Sequence, residues 1–580
     1  MPVHNADVAA AFGEIAELLE LADENPFRIR AYRNAARVVE GLSLDLAATL
    51  AAGKDLPKLP GIGEDLAGKI RELAATGSCK LLDRLRKKYP AGVTELLRLP
   101  GLGPRRVRAL LDRRIASLEA LERAARSGKL AEVPGFGEKT AQRALEAAEA
   151  HARKKVRFKL AVAAQYAEPF AKHLAATVAG SYRRMKETVG DLDFLVASDK
   201  PEEVAKRFAS YGEVKQVLAQ GTTRASAVLR CGLQCDLRVV GKASFGAALH
   251  YFTGSKAHNI AVRKLGIARG LKVNEYGVWK GEKRIAGDTE ESVYAAVRLP
   301  YIEPELREDT GELEAARRGE LPKLIEPKDL KGDLHSHTSA TDGRNTLREM
   351  ALAAKAFGLE YLAVTDHSRR LAMAHGLDPQ RLAKQIAEID DLNRELKGIT
   401  LLKGIEVDIL EDGSLDLPDS ILSKLDLVVG AVHSKFDLSR AKQTERILKA
   451  MENPYFSILA HPTGRLLEER APYDVDMLAV MRKAKRSGVA LEVNSQPARL
   501  DLTDAHCRMA KEEGVLVSVN SDAHGVDGFE LLRYGVGQAR RGWLERKDVL
   551  NARPLGELRR WLTTRMRTSF VGFLARPDRV

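Results

Sequence analysis

A chain of 580 residues is too long for one hydrophobic core, so three or four domains are expected. Its 93 Lys and Arg against 80 Asp and Glu leave a formal charge of +13, which favours a polyanionic partner, nucleic acid first. The four cysteines (Cys79, Cys231, Cys235 and Cys507) lack the CxxC pairs of a zinc ribbon, and no apolar run reaches the ~18 residues of a membrane helix. A cytoplasmic protein with no membrane partner is therefore expected, and a disulfide framework is excluded.

Residues 1–150 carry Ala, Leu, Arg and Glu at helical spacing and predict an all-α region. One unit recurs in it: LPGIGEDLAGKI at 59–70, LPGLGPRRVRAL at 99–110 and VPGFGEKTAQRAL at 133–145. Each Gly-apolar-Gly turn (Gly61 and Gly63, Gly101 and Gly103, Gly135 and Gly137) permits φ > 0 and presents backbone amides, at a helix N-terminus, to an outside phosphate. Such contacts hold DNA without reading its sequence. A lone GxG is no more than a tight turn between helices, but three copies with the same leading apolar-Pro pair resemble the helix-hairpin-helix motif of DNA repair proteins. That resemblance implies a K⁺ or Na⁺ site on hairpin carbonyls, matched here by Leu59, Ile62, Leu97, Leu99 and Leu102.

From about 156 to 300, short apolar runs alternate with helical stretches and predict a mixed sheet. The segment GSYRRMKETVGDLDFLV at 180–196 places Asp191 and Asp193 on one strand face, because side chains alternate with period 2. Two such carboxylates need a cation between them, supplied either by Arg183 and Arg184 or by divalent metal. Gly-Ser followed by Asp-x-Asp is a general nucleotidyltransferase pattern, open also to RNA-tailing and antibiotic-modifying enzymes. With CDLRVV (Asp236) and HYFTGSKAHN at 250–259, the region resembles the palm and thumb of a family X DNA polymerase.

The resemblance implies that Asp191, Asp193 and Asp236 hold two Mg²⁺ or Mn²⁺ ions for in-line phosphoryl transfer. It assigns Gly180, Ser181, Arg184 and Gly190 to the incoming triphosphate and Tyr251, Phe252 and Gly254 to the sugar. Asn259 and Arg263 fall where the family meets the minor-groove edge of the base pair. Met185 stands where polymerase β has glycine, implying a stiffer loop, and Gln234 where it has arginine. Further upstream, ENPFRIRAYRNAA (24–36) with the first hairpin resembles that family's deoxyribose-phosphate lyase domain, matching its Schiff-base lysine to Lys69. Asp65 lies where the family presents a lysine to the 5′-phosphate.

Residues 303–331 are charged, interrupted by proline, and read as a helix-containing linker. Beyond it, strand-like runs and helices alternate as in a βα barrel, and eight of the 13 histidines lie there. Most end a strand-like run: DLHSH, TDH, VVGAVH, ILAHP and VNSDAH, with GIEVD supplying Glu406. Imidazoles and carboxylates at the C-terminal ends of barrel strands converge on one face, and the mixture suits Zn²⁺, Mn²⁺ or Fe²⁺ better than Mg²⁺. This half resembles the PHP (polymerase and histidinol phosphatase) domain, a distorted seven-stranded barrel. Its ligand set of up to three ions, Zn²⁺ or Mn²⁺, falls on His335, His337, Asp342, His367, Glu406, His433, His461, Asp522 and His524. His375, His506 and Asp366 match no ligand position and are expected to be structural.

The expected architecture is an all-α helix-hairpin-helix region with a lyase-like domain at 1–88 and a fingers-type domain at 89–150. An α+β nucleotidyltransferase palm (151–260), a thumb (261–315), a linker (316–330) and a distorted (βα)7 PHP barrel (331–580) follow. The expected function is DNA-directed DNA polymerisation in gap-filling base excision repair, with a metal-dependent 3′–5′ exonuclease, 3′-end-processing or abasic-site endonuclease activity. Gapped or nicked DNA and dNTPs are the expected partners of a bacterial cytoplasmic monomer. The alternatives are a DNA phosphoesterase whose polymerase half serves as a clamp, and a non-catalytic DNA-binding scaffold.

Overall fold

The structure, a computed structural model, describes residues 3–574 except 41, 43, 58, 60, 154 and 155; the side chains of 150–153 and 565–574 are also outside the description. Two compact units emerge: Met1–Phe158 with Tyr211–Gln216 and Val228–Leu233, and Lys159–Ser210 with Val217–Ala227 and Gln234–Val580.

The first unit is helical from Asn5–Leu21 to Glu138–Arg153, as its periodicity predicts. Asn5–Leu21 runs through its core, with Phe12, Ile15 and Ala16 fully buried. Helix Glu64–Thr76 shows how the others form. Gly63 caps it, Glu64 and Asp65 complement the N-terminal dipole, and Leu66, Ile70 and Leu73 make a buried stripe. Gly77, in the left-handed conformation, ends it.

In the second unit, strands Thr177–Val178, Asp191–Ala197 and Gln234–Val240 lie side by side in that order in a sheet. Asp191–Ala197 and Gln234–Val240 pair in parallel, with Asp193 opposite Asp236 and Asp191 opposite Gln234. Leu192, Phe194, Leu195, Leu237 and Val239 are buried in this sheet, which fixes its register and holds the aspartates on one face.

Four barrel helices start on a side-chain cap: Thr346 with Glu349 in a capping box, Asp378, Asp476 and Thr503. Left-handed Gly488 and Gly514 stop two of these helices and release the chain into strands Ala490–Asn494 and Val517–Asn520. Strands Gly332–Asp333, Tyr361–Val364 and Thr400–Lys403 pair in parallel. Glu406–Asp408, Val428–Ala431, Phe456–Leu459, Ala490–Asn494 and Val517–Asn520 form a second parallel sheet. Thr400–Lys403 and Glu406–Asp408 are two pieces of one interrupted strand. Parallel bridges from Ser336 to Ala523 and from His367 to Glu406 join the two sheets into the expected distorted seven-stranded barrel.

The segment 316–330, read as a linker, is packed rather than free. Ala316 and Leu324 share an apolar cluster with Leu313, Val262, Tyr294 and Trp543, and Ile325 donates its amide to the Leu544 carbonyl at 3.0 Å. Its charged, proline-broken sequence concealed these apolar anchors, which join thumb and barrel within one unit.

Candidate active sites

On the palm, Gly180 has φ +65°, and a Cβ there would fall onto the Asp193 carboxylate, so only glycine lets the helix start approach that strand. Burial first, then the Asp191 and Asp236 charges, push the Asp193 carboxyl up to about 7. The arginines do not resolve that repulsion as ion-pair partners. Arg183 forms a bidentate pair with Glu290 (2.9 and 2.6 Å) and donates to Thr253 Oγ1 at 2.7 Å, while Arg184 Nε donates to Glu308 at 3.0 Å. The salt-bridge explanation of the paired aspartates therefore fails, and the acceptor-only trio fits divalent cations. Asp236 is held aside by Ser226 Oγ and, at 3.0 Å, by Gln234 Nε2. Among the described residues the three carboxylates do not gather as tightly as the barrel clusters do.

The thumb segment lies on buried Thr253. Tyr251 and Phe252 meet edge-on at 5.1 Å, with Arg263 over Tyr251 and Arg238 over Phe252, each at 5.4 Å. Asn259 Nδ2 donates to the Tyr251 carbonyl at 2.7 Å, and Arg184 Nη1 reaches the Thr253 carbonyl beside Gly254. The residues expected to meet nucleotide are thus brought together. Ser181 and Gly190 flank them on the Gly180–Arg183 helix and at the start of strand Asp191–Ala197.

In the first unit, Gly61, Gly101 and Gly135 have φ of 67°, 83° and 86°, and Gly63 and Gly103 cap the following helices. The same turn bond closes each hairpin: Ile62 to Leu59, Leu102 to Leu99 and Phe136 to Val133, at 3.1, 3.0 and 2.9 Å. Arg106 donates to the Gly101 carbonyl at 2.6 Å and the Gly135 carbonyl at 3.2 Å, tying the second hairpin to the third beside Gly137. The Leu59 and Leu99 carbonyls, expected as cation ligands, accept these turn bonds, and Leu97 lies in helix Val93–Leu97. Lys69 is largely buried and pairs with Asp65, one turn earlier, at 2.5 Å. Burial alone would lower the Lys69 pKa, but the hydrogen bond to Asp65 and the charges of Tyr32 and Asp65 raise it. The ammonium is thereby kept protonated, the opposite of what a Schiff-base nucleophile needs.

In the barrel all nine expected ligands converge. His337, Asp342, His367 and His524 form one group, His335, His337 and Asp522 a second, and His367, Glu406 and His433 a third. His461 Nε2 lies 3.0 Å from Glu406 Oε1 and His433 Nε2 3.2 Å from it, while Oε2 faces His367 Nδ1 at 2.7 Å. Burial and the charges of His524 and His367 hold His337 down to about 4. Burial would also lower His524, but Asp342 and Asp522 carry it up to about 9. His335 Nε2, His337 Nδ1 and His461 Nδ1 are buried without a hydrogen-bond partner, which costs about 1–3 kcal/mol each unless a cation takes the lone pair. Orphaned imidazole nitrogens beside carboxylates suit a divalent metal ion.

Three carboxylates beneath this site escaped the sequence reading. Glu492, fully buried, accepts from His335 Nδ1 at 2.7 Å, the His461 amide at 2.8 Å and Asn520 Nδ2 at 2.9 Å. Asp408 accepts from His433 Nδ1 at 2.5 Å, and Asp501 accepts from the Thr463 amide at 2.9 Å. The available signal was an acid inside a buried apolar run, VALEVN, and an acid two residues after Glu406 in GIEVD. Asp366 supports the loop above it through the Thr338 amide (2.8 Å) and hydroxyl (2.6 Å), the structural role expected.

Together these sites define a protein that transfers phosphoryl groups on a palm and hydrolyses phosphoesters in a barrel. The chain matches the DNA polymerase beta palm over residues 152–240 and the DNA polymerase beta thumb over 248–308. It matches a helix-hairpin-helix domain over 3–79, a SAM-like helix-hairpin-helix tandem over 93–150 and the PHP domain over 333–496. It is 37% identical over 575 residues to the DNA polymerase/3′-5′ exonuclease PolX of Bacillus subtilis (strain 168), covering 97% of this chain and 99% of that protein. A probable phosphatase of Thermoanaerobacter sp. (strain X514) is 33% identical over 205 residues, 33% of this chain and 78% of the relative. The chain belongs to the family X DNA polymerases that carry a C-terminal PHP domain.

Proposed function

We propose that the chain is a DNA-directed DNA polymerase that fills gaps during base excision repair, and that its barrel is a metal-dependent 3′–5′ exonuclease. The observation that carries this is the coexistence of two constellations of metal-ligand type in one unit: Asp193 opposite Asp236 on paired strands, and nine His, Asp and Glu side chains in the barrel. Reading the polymerase half as only a DNA clamp leaves that register unexplained. Among the described residues no helix is long and apolar enough to cross a membrane. A monomer acting on gapped or nicked DNA in a bacterial cytoplasm is the setting proposed.

Asp191, Asp193 and Asp236 would hold Mg²⁺ or Mn²⁺, which neutralises charge on the transferring phosphoryl group and activates the primer hydroxyl. Asp236 accepts from Ser226 on one oxygen and from Gln234 on the other, each keeping a lone pair for a cation. Ser181, Arg184, Gly180 and Gly190 orient the triphosphate. Tyr251 and Phe252, braced by Arg263 and Arg238, form the wall against the sugar. In the barrel, up to three ions, Zn²⁺ or Mn²⁺, would supply the Lewis acid for phosphodiester hydrolysis. There Glu492 and Asp408 hold the His335 and His433 rings by their Nδ1 atoms, leaving Nε2 as the ligand atom. Glu406 faces His335, His337 and His367 with one oxygen and His433 and His461 with the other, and so spans the site. The hairpins hold the DNA backbone.

The test is extension of a labelled primer in a one-nucleotide gap with dNTPs and Mn²⁺, beside Asp193→Ala and His337→Ala. Extension lost only in Asp193→Ala, with shortening lost only in His337→Ala, supports both activities. Shortening without extension would favour the phosphoesterase alone, and no change in any lane would leave a DNA-binding protein.

A further inference from the structure

The turn Arg183–Glu187, whose Arg184 the reading above assigns to the triphosphate, rests on the barrel. Met185 has φ +53°, a left-handed conformation that a side chain adopts at a cost of roughly 1–2 kcal/mol and that glycine adopts freely. Its side chain lies against Gly537 of helix Leu532–Arg541. A Cβ on Gly537 would stand 2.5 Å from Met185 Cε and 3.2 Å from its Cβ and Cγ. From the same helix, Arg541 Nη1 donates to the Arg184 carbonyl at 2.9 Å and to Glu308 Oε1 at 3.0 Å, while Nη2 donates to Asp504 at 2.5 Å. A third tie comes from the loop after His461, where Arg465 Nη2 donates to Glu187 at 2.8 Å.

These contacts act on one charge. Glu308 Oε1 is shared between Arg184 Nε and Arg541 Nη1, at 3.0 Å from each. Arg541 takes up part of the Glu308 charge and so leaves more of the Arg184 charge for an anionic ligand. It also fixes the backbone at Arg184. The left-handed Met185, unfavourable by itself, is offset by the packing of its thioether in the Gly537 notch.

We infer that Arg541 and Gly537, both on the PHP barrel, are positioning residues for the polymerase's nucleotide-binding turn, so that dNTP affinity depends on a barrel helix. This rests on the reading of Arg184 as a triphosphate ligand. Gap extension is measured as a function of dNTP concentration for the full chain and for Arg541→Gln, Gly537→Val and the double variant Gly537→Val/Met185→Gly. Exonuclease rate is followed alongside as a check on the barrel.

The dNTP KM is expected to rise on the order of tenfold in Arg541→Gln and Gly537→Val, the worth of about one charge-assisted hydrogen bond, with a smaller change in kcat and exonuclease within twofold. Met185→Gly is expected to restore KM in the Gly537→Val chain, because it empties the notch and relieves the left-handed strain. A KM unchanged in both single variants overturns the inference. So does a rise that Met185→Gly fails to correct, since that change then acts through the barrel fold. If the parent chain shows no dNTP-dependent extension, or Asp193→Ala retains it, the polymerase reading itself fails, which is a separate result.

Discussion

Glu492 accepts a hydrogen bond from His335 Nδ1 at 2.7 Å with neither side chain reaching solvent. The same carboxylate receives the amide of His461, so one acid sets the ring of one ligand and the backbone of another. Glu492→Gln keeps the shape but removes the charge that fixes the tautomer. Metal retention at the barrel, read by competition with a chelator, is expected to fall about 10–100-fold, with a parallel fall in exonuclease and unchanged dNTP-dependent extension.

Asp193 gives a pH signature in the metal-free chain. Its carboxyl is raised to about 7, so between about pH 4 and 7 the folded chain binds more proton there than the unfolded chain. That contribution to stability is present below about pH 4 and is lost as pH rises toward 7. In EDTA, Asp193→Asn is expected to unfold later than the parent above pH 7, by on the order of 1 kcal/mol or more, and to show no gain near pH 4. Saturating Mg²⁺ should remove the advantage. Thermal melts at the two pH values check it.

Lys69 is held protonated by Asp65. Asp65→Ala removes the Asp65 hydrogen bond and charge, so that burial, which lowers the amine's pKa, is opposed by Tyr32 alone. Borohydride trapping on 5′-deoxyribose-phosphate DNA at pH 7.5 is expected to increase about three- to tenfold in Asp65→Ala and to vanish in Lys69→Ala. Equal trapping in all three chains would remove Lys69 from lyase chemistry.

At Gly101, φ is 83°, and alanine there would distort the second hairpin at a cost of about 1–2 kcal/mol. Gly101→Ala is expected to weaken DNA binding about equally on unrelated sequences, since amide–phosphate contacts carry no sequence information. Fluorescence anisotropy across a salt series measures it.

Much of the site was legible because its determinants are local. Period 2 alone places Asp191 and Asp193 on one face, and a Gly-apolar-Gly turn specifies a left-handed first glycine. Most of the barrel ligands were visible because they follow an apolar run that ends where the strand ends. What stayed hidden depends on pairing across long sequence separations. The register setting Asp193 against Asp236 appears only when two strands meet. Met185 read as a stiffening departure from glycine, whereas it takes a left-handed conformation that glycine adopts freely and docks on a helix beginning at Leu532. Glu492 escaped notice in an apolar strand because the His335 it orients follows a different strand.

The bridge between Ser336 and Ala523 makes the barrel's first and last strands neighbours, and it falls among the ligands themselves. His335 and His337 therefore lack their partners Asp522 and His524 until nearly 190 further residues have been made. At ~5–20 residues per second, a growing chain spends roughly 10–40 s with its palm already synthesised and its nuclease still in pieces. Cutting waits on the last of these strands, and a chain that stops short of it lacks Asp522 and His524.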